Sequence, residues 1–200
     1  MKLRHKKGFA LIETLFAVSI FVLIVIALGM LARNIWIYSS YVSTGLSDSI
    51  NGRRALKLMT AEIRTASTAD TGVYTIAVAS GNSFTFYSDI DGDVLKEKVR
   101  YFLAGANLQK GVTKPTGSPL SYNPANEVIS TLIGNVTSAN IFSYYDENYD
   151  GTTAALSFPV NIALIRLVKI TFTTDKDPNR EPAPSTFTTQ VSIRNLKDNL

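Results

Sequence analysis

The chain has 200 residues, with 20 Lys/Arg against 16 Asp/Glu, a formal charge of +4, one His and no Cys. Without cysteine there is no disulfide, no thiolate metal site and no thiol catalysis. The one histidine, His5, lies in the first few residues, so the rest of the chain cannot build a Ser-His-Asp triad or a histidine zinc site.

The basic excess sits at the amino end, in Lys2, Arg4, Lys6 and Lys7. Without those four, 16 basic residues face 16 acidic ones, so the pI of about 9.2 is a topology signal rather than a nucleic-acid footprint. Next comes an apolar run from Phe9 to Ala32, 24 residues in which only Glu13, Thr14 and Ser19 are polar. At roughly 1.5 Å per residue a helix of that length covers about 36 Å, enough to cross a hydrocarbon core of about 30 Å. The basic flank places the amino end in the cytoplasm and the remaining chain on the far side of the membrane. A carboxylate inside such a span is costly, so Glu13 needs a partner or a job.

Gly8-Phe9 followed by Glu13 resembles the processing and assembly motif of type IV prepilins and type II secretion pseudopilins. That resemblance implies a leader at 1–8, cleavage between Gly8 and Phe9 by a prepilin peptidase, and methylation of Phe9. It makes Glu13 an assembly carboxylate. It also implies an inner-membrane protein with an extracytoplasmic head, whose partners are other pilins or pseudopilins, the assembly platform and the lipid bilayer. Ala10, where threonine is common, and the lack of proline late in the apolar run depart from many major pilins. Two plainer readings stand beside it. One is a secretory signal cut near Ala27-Leu28-Gly29, although the run is longer than an ordinary signal core. The other is an uncleaved signal anchor carrying an extracytoplasmic binding module.

Beyond the span, Trp36, Tyr38 and Tyr41 form an interfacial belt. Leu46, Ile50, Leu56, Met59, Ile63 and Ala66 then make one apolar stripe of an amphipathic helix over 33–70. Arg53, Arg54, Lys57, Glu62 and Arg64 fall off the stripe and are expected in solvent. Gly45 and Gly52 are expected to mark a bend, and Asp70-Thr71-Gly72 to end the helical region. The segment from Arg53 to Arg64 is similar to the matching stretch of J-type minor pseudopilins and related minor pilins.

From residue 71 the pattern changes to short alternating runs broken by Gly, Pro, Asn and Asp. Val73–Ala79 and Ser83–Ser88 flank a Ser80-Gly81-Asn82 turn. Lys98–Leu103, Val128–Ile133, Ile141–Tyr145, Leu164–Thr174 and Thr186–Arg194 are the other expected strands, and 104–126 is expected to be loop. Phe84/Phe86, Val99/Tyr101, Val168/Ile170/Phe172 and Val191/Ile193 alternate as in antiparallel sheet with one covered face. The expected fold is α+β: a long transmembrane and amphipathic helix packed on a β-rich head over 71–200, the pilin arrangement.

Few residues in the head suggest chemistry. Asp146, Asn148, Asp150 and Gly151 match the first half of a calcium loop, with oxygen ligands at alternate positions and a glycine at the sharp turn. Ser157 stands where the full motif has a bidentate glutamate, and a plain Asx-rich turn explains the same residues. Asp89, Asp91 and Asp93 repeat the alternation, with Val94 in the glycine's place. Phe142, Tyr144, Tyr145 and Tyr149 read either as strand packing or as a sugar- or protein-binding face. Gly105, Gly111 and Gly117 are too widely spaced to cradle phosphate. The expected role is therefore structural rather than enzymatic.

Overall fold

The computed structural model describes residues 7–177, 179 and 183–196, with the side chains of 7–10, 40 and 44 outside the description. The layout is α+β: one long amino-terminal helix and two antiparallel sheets. The chain divides into two compact units, Met1–Gly45 and Leu46–Leu200. Helix α1 (Lys7–Arg64) runs for 58 residues without interruption.

In the first unit α1 is the whole described structure, and every side chain from Leu11 to Ser39 is exposed. The run holds no proline, and its two hydroxyl side chains bond to the helix's own carbonyls: Thr14 Oγ1 to Leu11 O at 2.9 Å and Ser19 Oγ to Leu15 O at 2.7 Å. The backbone and these two hydroxyls are thus satisfied internally, as an apolar solvent requires, and Glu13 is the exception.

The second unit holds the core. One sheet has strands β1 (Ile76–Ala79), β2 (Ser83–Ser88), β3 (Glu97–Ala104), β4 (Asn107–Thr113) and β5 (Val128–Ile133), paired in that order. The other has β6 (Phe142–Tyr145), β7 (Leu167–Thr174) and β8 (Ser185–Ser192), also in chain order. The alternating residues read from the sequence, including Phe84, Phe86, Val99, Tyr101, Val168, Ile170, Phe172 and Val191, are all buried in one cluster. Gly81 joins the sheets: its carbonyl accepts from the Ile141 and Phe142 amides at 2.7 and 2.9 Å.

Met59, Ile63 and Ala66 bury as the stripe predicts, with Ala55 extending it one turn back. Leu46 and Ile50 do not; they are 61% and 53% exposed, because the covered face begins only at Gly52. The helix continues unbroken through Gly52, which is a point of close approach. A Cβ there would stand 2.5 Å from Phe187 Cζ, so only glycine lets β8 reach the helix. The helix ends at Arg64, a few residues before the expected Asp70-Thr71-Gly72, and Asn195 Nδ2 donates to the freed Ala66 carbonyl at 2.9 Å. Gly72, at φ 81°, closes the turn that follows.

Two expectations fail for reasons that lie far away in sequence. Glu62 is not solvated: it is 9% exposed, accepting from Tyr101 Oη at 2.5 Å and from Lys110 Nζ at 2.6 Å. Burial first, and the Glu62 charge second, push the Tyr101 hydroxyl far above its usual pKa, so it stays a donor. The expected 104–126 loop contains β4, which pairs with β3 on one side and β5 on the other. Gly111 is the misleading residue. It sits opposite Arg100 and leaves room for Glu127 to reach across and hold that guanidinium at 2.8 and 2.6 Å. Arg100 also lies 3.8 Å over the Phe102 ring.

Glu62, Tyr101 and Lys110 pin the helix end to the larger sheet. Lys110→Met strands the Glu62 carboxylate and is expected to cost about 2–3 kcal/mol. Adding Glu62→Gln to that variant should recover at least about half of the loss, since no buried charge is then unpaired. Urea denaturation of the detergent-solubilised chain measures both.

Candidate functional site: the exposed amino-terminal helix

The feature that needs explaining is an apolar surface with no cover. Leu11, Leu15, Phe16, Phe21, Leu23 and Met30 are each more than 60% exposed, and they point to all sides of the helix rather than to one face. α1 is long and apolar enough to cross a membrane, and none of its most apolar window is buried. An amphipathic surface helix would show a polar side; this segment shows none until Arg33-Asn34. Trp36 and Tyr38 follow, both widely exposed, at the position of the expected interfacial belt.

Glu13 is the one ionisable side chain between Phe9 and Ala32. It is exposed, and among the described residues its carboxylate meets no cation and no hydrogen-bond donor. In water that is unremarkable. In a bilayer the same carboxylate is a strong attractor for any positive group that can reach it. Of the expected processing site, residues 1–6 lie outside the described residues. Gly8 and Phe9 belong to α1 by backbone, and the Phe9 side chain is outside the description.

The candidate calcium residues Asp146, Asn148 and Asp150 share the loop after β6, and there each carboxylate serves the loop itself. Asp146 Oδ1 accepts the Asn148 amide at 3.0 Å, and its Oδ2 accepts Asn148 Nδ2 at 3.4 Å. Asp150 Oδ1 takes four donors, the amides and hydroxyls of Thr152 and Thr153, at 2.7–2.9 Å. The Thr153 hydroxyl, with the other three donors, holds the Asp150 carboxyl well below the usual carboxylate range. An oxygen so committed is a poor cation ligand and a good turn closer. Nearby, Phe142, Tyr144 and Tyr145 are buried, and the Tyr149 ring lies tilted against Tyr145 with centroids 4.1 Å apart, so the aromatic cluster is mostly core rather than a binding face.

Within the second unit a shallow open groove runs between the end of α1 and β8, with Arg53, Lys57 and Arg64 on one wall and Thr188 and Thr189 on the other. It offers cations and hydroxyls but no acid–base pair. No family model matches the chain, and no curated protein matches it.

Asp150→Ala removes the acceptor of four bonds and should lower the melting temperature, while Asp150→Asn, which keeps one acceptor oxygen, should lower it less. Both losses should be the same in millimolar calcium and in chelator. Differential scanning fluorimetry of the two variants checks this, and a loss that appears only with calcium present would assign Asp150 to a metal.

Proposed function

We propose that the protein is a structural subunit of the type IV pilin-like and type II secretion pseudopilin class, most like a J-type minor pseudopilin or minor pilin. The observation that carries this reading is the apolar helix uncovered on all sides, with a single carboxylate near its start. The basic flank, Gly8-Phe9 and the α+β head support it, as does a chain from Phe9 onward with neither histidine nor cysteine. Exposed Leu46 and Ile50 extend the uncovered apolar surface beyond the membrane-length segment, where neighbouring subunits rather than lipid would cover it.

On this reading the subunit waits in the inner membrane, head outward, until an assembly platform draws it into a filament. Lipid and protein are about equally apolar, so the transfer gains little from hydrophobicity, and close packing with polar pairing must set the register. Cleavage after Gly8 leaves an ammonium on Phe9, and methylation keeps its charge. Glu13 lies four residues on, one helical turn, so it can face its own amine in the bilayer and an incoming subunit's amine in the filament. In a dry interior an unpaired charge costs far more than a satisfied pair, which makes the pairing a specificity device more than a source of net stability.

Two outcomes test this. Intact-mass spectrometry of the membrane protein should show a chain that begins at Phe9 and is one methyl heavier. A chain starting at Met1 would favour the anchored binding module instead, and one starting near Met30 a signal peptide. Glu13→Val should be cleaved and inserted as well as wild type, yet enter filaments at least about tenfold less, equivalent to ~1.4 kcal/mol. Crosslinking of assembled subunits measures the difference, and equal incorporation would leave Glu13 without an assembly role.

A further inference from the structure

The turn between β2 and β3 carries Asp89, Asp91, Gly92 and Asp93, and β3 opens on Glu97. One carboxylate oxygen from each of Asp89, Asp91 and Glu97 lies within 4.8 Å of the other two. Oxygens on opposite sides of a calcium ion, at 2.3–2.6 Å each, stand about 4.6–5.2 Å apart, so the three fit around one such ion. Convergence of acids on a turn is common and proves little by itself. Glu97 is what sets this one apart.

Glu97 is fully buried, yet among the described residues its Oε1 has no hydrogen-bond partner. Its Oε2 accepts the Ile90 amide at 3.0 Å, which turns the carboxyl into the loop and toward the aspartates. A buried carboxylate with an orphan oxygen, facing other carboxylates, is an arrangement that folding should disfavour. The surrounding cations do not resolve it. Lys96, next in the chain, is drawn off to Asp70, with its Nζ at 2.8 Å from Asp70 Oδ1 and its amide at 2.6 Å from Oδ2. Lys114 bonds Asp91 and stands 3.6 Å from Asp93, both at the exposed side of the loop. Asp89 is held in place by the Gly92 and Val94 amides at 2.7 and 3.1 Å, with Val94 in a left-handed conformation at φ 79° that its branched side chain disfavours.

We propose that this loop is a calcium site, with Asp89, Asp91 and Glu97 as carboxylate ligands and Lys114 holding the place of the cation's charge until it binds. The donor set is all oxygen, which suits calcium rather than zinc or copper. The ion would supply the charge that Glu97 lacks and fix the β2–β3 turn against the sheet. Four acids, Asp89, Asp91, Asp93 and Glu97, share the loop, and among the described residues Lys114 is the cation paired to them, so a divalent ion is electrostatically welcome.

The test uses the full chain in detergent. Tyr122, whose hydroxyl donates to the Lys96 carbonyl at 2.7 Å, and Tyr87, 5.0 Å from it ring to ring, are placed to sensitise terbium bound in the loop. Calcium should displace terbium luminescence and raise the melting temperature. Glu97→Gln, which keeps the shape and removes the charge, should weaken calcium binding at least tenfold while melting at or above wild type in chelator. Asp91→Asn, which alters no buried group, should weaken binding as well, and Lys114→Gln should tighten it. Asp150→Ala should leave calcium affinity unchanged. Identical wild-type melting curves in calcium and chelator overturn the proposal, and so does a calcium response that survives Glu97→Gln.

Discussion

Fifteen large apolar side chains between Leu11 and Leu31 stand exposed on one helix, and nothing in the described chain covers them. At about 1.5–3 kcal/mol for each such side chain removed from water, they represent tens of kcal/mol, more than the ~5–15 kcal/mol that holds a typical domain folded. No rearrangement of a small head could hide that surface without unmaking itself. The constraint therefore falls on the surroundings, and a lipid bilayer is compatible with it. The self-satisfied backbone and the inward bonds of Thr14 and Ser19 suit the helix to such a solvent.

The head solves a different problem with ordinary means. Its core is formed by aromatic and branched residues from both sheets, closed by the last turns of α1. What fixes the helix against the larger sheet is not the apolar contact alone, which tolerates sliding, but the Glu62 carboxylate between Tyr101 and Lys110. Glycines set the distances. Gly52 admits Phe187, Gly81 makes room for Asn140, and Gly111 lets Glu127 cross to Arg100. In each case a β-carbon would collide with a side chain already there.

Much of this was legible because its causes are local. The span is a run of neighbours, the strands show their burial in a period of two, and Met59, Ile63 and Ala66 mark the covered helix face by their spacing. What could not be read depended on partners far along the chain. Glu62 looks like a solvated residue until Tyr101, 39 residues away, and Lys110, 48 away, are brought to it. β4 was hidden by Gly111 and Lys110, whose reasons for being in a strand lie at Glu127, just before β5, and on α1. Glu97 carries no local signal in the sequence; its burial is set by the whole sheet. The Asp146 and Asp89 turns match nearly the same pattern; what separates them is the four donors that fill Asp150 Oδ1 in one and the orphan oxygen of Glu97 beside the other.

The absence of native cysteine makes the central claim directly testable with single introduced thiols. Leu23 lies midway along the apolar run and Thr152 on an exposed loop of the head. Cells carrying Leu23→Cys or Thr152→Cys are treated with a membrane-impermeant maleimide, before and after detergent. The proposed arrangement, a membrane-seated helix with the head outward, predicts that Thr152→Cys labels once that outer face is reachable, and that Leu23→Cys labels only after detergent. Labelling of Leu23→Cys in intact membranes, or of Thr152→Cys only after lysis, would contradict it.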